Sequence, residues 1–171
     1  LDAAHATHFL VAARLGHGQQ VDLFIVPSDS PGLSARAVAG FATGLGELRL
    51  DGVEVPGSSL LGGGWEAFEK ALFKATALFS AYQVGGIDRV FEMCLQYSQT
   101  RHQFQQPIGR FQRVQDHIID IVNHLDAARW TTYEALWKLD TNRPAETGVH
   151  MAAALATEGY YLACNAAHDV H

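Results

Sequence analysis

The chain has 171 residues, 48% of them hydrophobic and 18% charged, and a formal net charge of −6. That is the profile of a globular protein long enough to bury one good core or two small ones. No segment carries a block of basic residues, which argues against nucleic-acid binding, and the mild acidity favours solubility.

The first 62 residues are patterned as β structure. Phe9 to Ala13 is a short apolar run, followed by the turn-rich Gly16 to Gln20. Leu23 to Val26 is a second run, stopped by Pro27 and the turn residues Asp29-Ser30-Pro31-Gly32. Leu48 and Leu50 alternate with charged neighbours, and Asp51-Gly52 then turns the chain into Val53 to Pro56, which predicts a hairpin. Gly57 to Gly64 is rich in small residues and is expected to be a linker, dividing the chain into domains at 1–62 and 63–171.

From Gly64 the apolar period becomes helical. Trp65, Phe68, Leu72, Thr76, Phe79, Gln83, Gly86, Val90, Cys94 and Tyr97 trace one predicted face of a first helix. Gly85 and Gly86 each cost about 1 kcal/mol there relative to alanine, so a close helix crossing is expected at this point. Phe111, Val114, Ile118, Ile121, Leu125, Ala128, Thr132, Ala135 and Leu139 step by three and four along a second helix, as in an antiparallel bundle. Trp130, Tyr133 and Trp137 flank that stripe and are expected to make bundle or subunit contacts. Asn142-Arg143-Pro144 breaks the pattern, with Pro144 suited to the first turn of a third helix. That helix carries Val149, Ala153, Ala156, Tyr160, Ala163, Ala167 and Val170 on one face. Cys94 and Cys164 lie in helical apolar sequence and are expected to be buried thiols in a reducing compartment, cytoplasm or mitochondrial matrix. The longest uncharged helical run, Ala75 to Ile87, is too short to span a bilayer, and no signal peptide is expected. Both ends of the sequence are abrupt, which suggests part of a longer chain.

Between the first two helices lies Arg101-His102-Gln103-Phe104-Gln105-Gln106-Pro107-Ile108-Gly109-Arg110-Phe111-Gln112. Pro107 and Gly109 force a turn. Arg101 suits the C-terminal end of a helix dipole, and its fork of donors suits a diphosphate or a carboxylate. Phe104 and Phe111 offer ring faces; Gln103 and Gln112 offer amides. The set can grip a dinucleotide. On spacing alone the simpler reading is that Arg101 caps a helix, the phenylalanines fill the core below the turn and the glutamines meet solvent.

This pattern, R-x-Q-F-x-x-P-I-x-x-F-Q between two long helices, resembles the flavin-contacting turn of acyl-CoA dehydrogenases. Asp29 to Gly32, then Asp51 to Pro56, then Leu60 to Trp65, and finally Ala167 to His171 are similar to other segments of that family, in the same order. The resemblance covers the whole chain but only the middle and later part of a family member. It implies an α+β fold: part of a central β-barrel-like domain, then long antiparallel helices of a four-helix bundle. It implies FAD, an acyl-CoA substrate oxidised at its α,β carbons, an electron-transfer flavoprotein as acceptor, and a homo- or hetero-oligomer, dimer or tetramer. The turn would reach the FAD of a neighbouring subunit. By position, Arg101 and Gln103 would contact the diphosphate or adenosine end, Phe104 and Phe111 would pack near the cofactor, and Ile108 and Gln112 would lie beside them.

Two departures stand out. The family's usual glutamate base falls beyond His171, and the alternative Glu-Arg pair on the first bundle helix is replaced by Ala75-Thr76. No catalytic residue is therefore assigned within the chain. Asp169 stands where a glutamine is common, and a carboxylate there would repel a diphosphate. The rival readings are a non-catalytic partner subunit of a hetero-oligomeric dehydrogenase, a flavin oxidase or monooxygenase of the same fold, and a helical interaction module. Metal binding finds only paired histidines, His117 with His124 and His168 with His171, and no third ligand at useful spacing.

Overall fold

A computed structural model describes residues 3–16, 20–40 and 44–171. The expected turn at Gly16 to Gln20 falls largely outside the described residues. The chain divides into two compact units, Leu1–Lys70 and Ala71–His171.

In the first unit, β1 (His8–Arg14) and β2 (Val21–Pro27) pair antiparallel, with Leu10 opposite Ile25 and Ala12 opposite Leu23. These are the two apolar runs of the sequence. Asp29 to Gly32 makes the expected turn: Ser30 N–H donates to the Pro27 carbonyl and Leu33 N–H to the Ser30 carbonyl. Gly32 has φ 85°, and a Cβ there would lie 2.2 Å from the Asp51 carbonyl oxygen, so only glycine fits. The chain continues into β3 (Leu33–Ala37), which pairs antiparallel with β4 (Gly46–Leu50). The hairpin expected after Asp51-Gly52 does not form. Residues 53–56 are irregular, and β4 takes β3 as its partner, helped by the Arg36–Glu47 ion pair across the strands. Sequence alone missed β3 because Ser34 and Arg36 break its apolar pattern.

The stretch expected as a linker is ordered. It holds a 3₁₀ turn at Gly57–Ser59 and a two-residue strand, β5 (Leu60–Leu61), bonded to the free edge of β2. The two sheets, β1-β2-β5 and β3-β4, do not close into a barrel among the described residues.

Helix α1 (Gly64–Thr100) starts in the first unit and runs through the second, followed by α2 (Gln112–Asp140) and α3 (Glu146–Val170). No described helix is long and apolar enough to cross a membrane. The α2 stripe is as read from sequence: Ile121, Leu125, Ala128, Thr132 and Ala135 are buried. The α3 stripe is shifted slightly, burying Ala152 and Gly159 with Val149, Ala156, Ala163 and Val170. The α1 stripe is corrected in part: Gln83 and Cys94 are buried as expected, and Val90 and Tyr97 pack against the core. The buried residues of α1 are Ala77, Ser80, Gln83, Val84, Ile87, Cys94 and Ser98, whereas Leu72 and Phe79 are more than half exposed. The two serines can sit inside because each hydroxyl donates to its own helix: Ser80 Oγ to the Thr76 carbonyl and Ser98 Oγ to the Leu95 carbonyl.

Val84, Ile87 and Cys94 of α1 meet Ile121, Leu125 and Ala128 of α2 and Ala156, Ala163 and Val170 of α3 in the main core. Each fully buried isoleucine or leucine contributes about 1.5–3 kcal/mol. Arg129 of α2 donates to Asp88 of α1 at 2.8 Å, and Thr157 of α3 donates to Gln83 of α1 at 3.2 Å. Where a close helix crossing was expected, Gly86 instead receives the ring of Tyr160 of α3; Gly85 faces open space. Asn142, with φ 54°, ends α2, and Arg143 N–H donates to the Lys138 carbonyl. Pro144 precedes the first turn of α3 instead of lying in it. Both cysteines are free; Cys94 is buried, and Cys164 is half-buried where full burial was expected.

Candidate functional site

The Arg101–Gln112 segment forms a compact hairpin between α1 and α2. Arg101 N–H donates to the Tyr97 carbonyl at 2.9 Å and closes α1. β6 (His102–Gln103) then pairs antiparallel with β7 (Gln106–Pro107). Ile108 N–H donates to the Arg101 carbonyl at 2.9 Å and fixes the base of the hairpin. Its two-residue tip is Phe104 at φ 51° and Gln105 at φ 65°. Positive φ at both central positions is the pattern of a type I′ turn, which matches the twist of paired strands. Asparagine and glycine usually fill such turns; a phenylalanine held there costs about 1–3 kcal/mol.

That strain carries an aromatic ring outward. Phe104 is 87% exposed, and Phe111 packs edge-on against it with centroids 6.1 Å apart and planes at 88°. Arg101 and Gln103 are exposed on the same hairpin. Among the described residues no carboxylate pairs with Arg101. Ile108, which follows the hairpin, is buried. Gln112 is exposed, and its amide nitrogen donates to Asp116 at 2.9 Å, leaving its oxygen free to accept. The structure therefore presents Arg101, Gln103, Phe104, Phe111 and Gln112 on one short segment, and buries Ile108.

A 3₁₀ turn, Ile108–Arg110, links the hairpin to α2. Gly109 rests on the last turns of α1: a Cβ there would lie 3.1 Å from the Ser98 carbonyl oxygen and 3.3 Å from the Ser98 Cβ. Gln115 Nε2 donates to the Gly109 carbonyl at 2.9 Å and ties the turn to α2. The first turn of α2 has no side-chain cap and no acidic residue, so its unpaired amides add partial positive charge to a segment that also carries Arg110 and Arg113, with Asp116 one turn further on. This local field favours an anion such as a diphosphate. The Pro107 and Gly109 signals made the turn legible from sequence. Its left-handed tip was not legible, because neither Phe104 nor Gln105 is a residue that favours positive φ.

The positions bearing on catalysis are equally plain. Ala75 has no titratable group, and Thr76 Oγ1 donates to the Leu72 carbonyl at 2.9 Å. Lys70 donates to Glu66 at 2.7 Å; this hydrogen bond and charge raise the Lys70 pKa above its ordinary value and keep it protonated. Asp169 is exposed near the end of α3. Among the described residues no three His, Cys, Asp or Glu side chains come together.

Residues 62–171 match the acyl-CoA dehydrogenase C-terminal domain model. The probable acyl-CoA dehydrogenase YngJ of Bacillus subtilis is 31% identical over 99% of this chain and 48% of its own length. PigA, solved with FAD and proline, is 28% identical with a TM-score of 0.91, covering 99% of this chain and 47% of that one. The ChsE4-ChsE5 complex from Mycobacterium tuberculosis is 30% identical with a TM-score of 0.83, covering 99% and 46%. The chain thus spans about half the length of the relatives it matches. The match across 62–171, together with the long helices, shows that this chain belongs to the acyl-CoA dehydrogenase family.

Proposed function

We propose that the chain is part of an FAD-dependent oxidoreductase that α,β-dehydrogenates an acyl-CoA thioester. The observation that carries this reading is the preformed hairpin, with Arg101 at its base, paired with no carboxylate among the described residues, and an exposed aromatic at its tip. When bound, FAD would accept the two electrons removed from the substrate. Arg101 and Gln103 would hold its diphosphate or adenosine end. Phe104 and Phe111 would pack against it, with Ile108 behind and Gln112 beside. In this assignment residues 1–62 belong to a β domain and 63–171 to a helical bundle. The proton-abstracting base is assigned outside the chain, since neither Ala75 nor Thr76 can serve. Electrons would pass to an electron-transfer flavoprotein, and the turn would complete a site in a neighbouring subunit of a homo- or hetero-oligomer.

Ala75-Thr76 also supports a second reading, a non-catalytic partner subunit in a hetero-oligomeric dehydrogenase. The likeness to the two-protein ChsE4-ChsE5 complex favours it. Activity of the full-length protein without a partner chain separates the two.

The test of flavin binding uses the full-length protein. It should purify yellow. A charge-assisted hydrogen bond is worth about 1.5–3 kcal/mol, so Arg101→Ala should weaken FAD retention by at least roughly tenfold. Lys138→Ala removes a cation already paired with Glu134 at 2.6 Å and should leave retention unchanged. A colourless protein that takes up no added FAD, or equal retention by the two variants, refutes the assignment.

A further inference from the structure

We propose that the cleft between β2 and the first turn of α1 binds an organic cation, the primary ammonium group of a small aliphatic amine. The proposal does not depend on flavin binding.

The cleft has a volume of about 630 Å³ and lies wholly within the first unit. That is the size of a small-molecule site. Asp22 of β2 lines it and is only 9% exposed. Asp22 Oδ1 accepts from Gln20 Nε2 at 3.3 Å. Among the described residues Oδ2 has no hydrogen-bond partner, and no basic side chain pairs with the carboxylate. A buried carboxylate is costly to leave without a countercharge.

Glycine keeps the space beside this carboxylate open. Gly64 has φ 55°, and a Cβ there would lie 3.5 Å from Asp22 Oδ1, 3.8 Å from Gln20 Nε2 and 3.8 Å from the Val21 carbonyl oxygen. An ammonium group entering where a side chain would stand reaches Asp22 with little adjustment.

The lining gives the sign and class of the ligand. Among the described residues it includes two carboxylates, Asp22 and Glu66, and no Lys, Arg or His. Glu66 is already engaged by Lys70 at 2.7 Å, so Asp22 carries the free charge. The amides that open α1 favour an anion, but a helix terminus amounts to about half an elementary charge and a carboxylate to a full one. No described amide of that turn donates to Asp22, so the carboxylate is not spent as a helix cap. No three His, Cys, Asp or Glu side chains come together among the described residues, which disfavours a metal ion. Trp65 donates its indole N–H to Glu69 at 2.8 Å, which holds the ring in place, and it is 42% exposed. Its face can meet a cation. Leu60 and Leu61, 41% and 36% exposed, supply an apolar wall for an alkyl stem.

The test is isothermal titration calorimetry on the full-length protein at neutral pH with three probes of similar size: n-butylammonium, n-butanol and butyrate. Butylammonium should bind saturably, and the other two more weakly by roughly tenfold or more. Asp22→Asn removes the charge at nearly constant shape and should weaken butylammonium binding by roughly tenfold or more. Asp51→Asn removes an exposed carboxylate already paired with Arg49 and should leave that binding unchanged. The probe series uses the unaltered protein, so it decides the matter even where Asp22→Asn fails to fold. Absence of saturable butylammonium binding, or equal binding of butanol, overturns the proposal. So does a preference for butyrate, which would give the cleft to the α1 amides, or unchanged butylammonium binding by Asp22→Asn.

Discussion

The paired glycines of α1 allow a direct test of the packing argument. A Cβ built on Gly86 would lie 2.7 Å from Tyr160 Cζ, 2.9 Å from Cε2 and 3.0 Å from the hydroxyl oxygen. Such contacts are too short for real atoms. Tyr160 is packed against the main core, so its ring cannot simply swing away. Overpacking of this kind costs about 1–3 kcal/mol. Against it stands a helix-propensity gain of about 1 kcal/mol for replacing glycine with alanine. Gly86→Ala should therefore destabilise by about 0–2 kcal/mol. At Gly85 nothing lies within 4 Å of the added Cβ, so Gly85→Ala retains the propensity gain and should stabilise by about 1 kcal/mol. The two variants should differ by about 1–3 kcal/mol, although they add the same methyl group one residue apart. Urea denaturation of the full-length protein, followed by far-ultraviolet circular dichroism, measures the difference. Equal stabilisation by both alanines would refute the packing of Tyr160 against Gly86.

Thr132 is fully buried, and its hydroxyl has no hydrogen-bond partner among the described residues. Thr132→Val keeps the shape and removes the unpaired hydroxyl, so unfolding free energy should rise by about 1 kcal/mol, and a loss in urea titration would show that the hydroxyl is satisfied. Phe104→Gly should relieve the left-handed strain and raise stability by about 1 kcal/mol while lowering FAD retention; a fall in stability would contradict the type I′ geometry. Burial raises the pKa of both Cys94 and Cys164 above the usual thiol value, with the nearby Cys164 adding to the effect on Cys94. The thiolate is the reactive form, so at pH 8 iodoacetamide should label both more slowly than a free cysteine, and Cys94 slowest; labelling at the free rate would disprove the burial.

Legibility in the sequence followed how directly each element's chemistry reports its surroundings. The α2 stripe was readable because every buried position is apolar or a threonine at helical spacing. On α1 the apolar residues Leu72 and Phe79 pointed to the wrong face. The true face passes through Ser80 and Ser98, which look polar until their hydroxyls are seen bonded to their own helix. Strands β1 and β2 announced themselves as apolar runs. β3 and β5 are held in place by their partners, Leu33–Ala37 by β4 and Leu60–Leu61 by β2, and pairing between distant segments leaves little local trace. At the site, Arg101, Pro107 and Gly109 marked the turn. The conformation that turns Phe104 outward arises from strand register across β6 and β7, and no single residue encodes it.

The small residues between α2 and α3 bear on how the chain folds. Ala152, Ala156, Gly159 and Ala163 of α3 are buried, and Gly148 and Gly159 approach Ala135 and His124 of α2 in antiparallel order. Alanine and glycine have no side-chain rotamers to freeze, so docking these helices costs little side-chain entropy. A short connection joins them, and their contacts therefore close only a modest loop. Low entropic cost and low contact order both favour rapid formation. The α2–α3 pair is the natural early nucleus of the second unit, and α1, whose buried Gln83 and serines make a more polar seam, should dock onto it later.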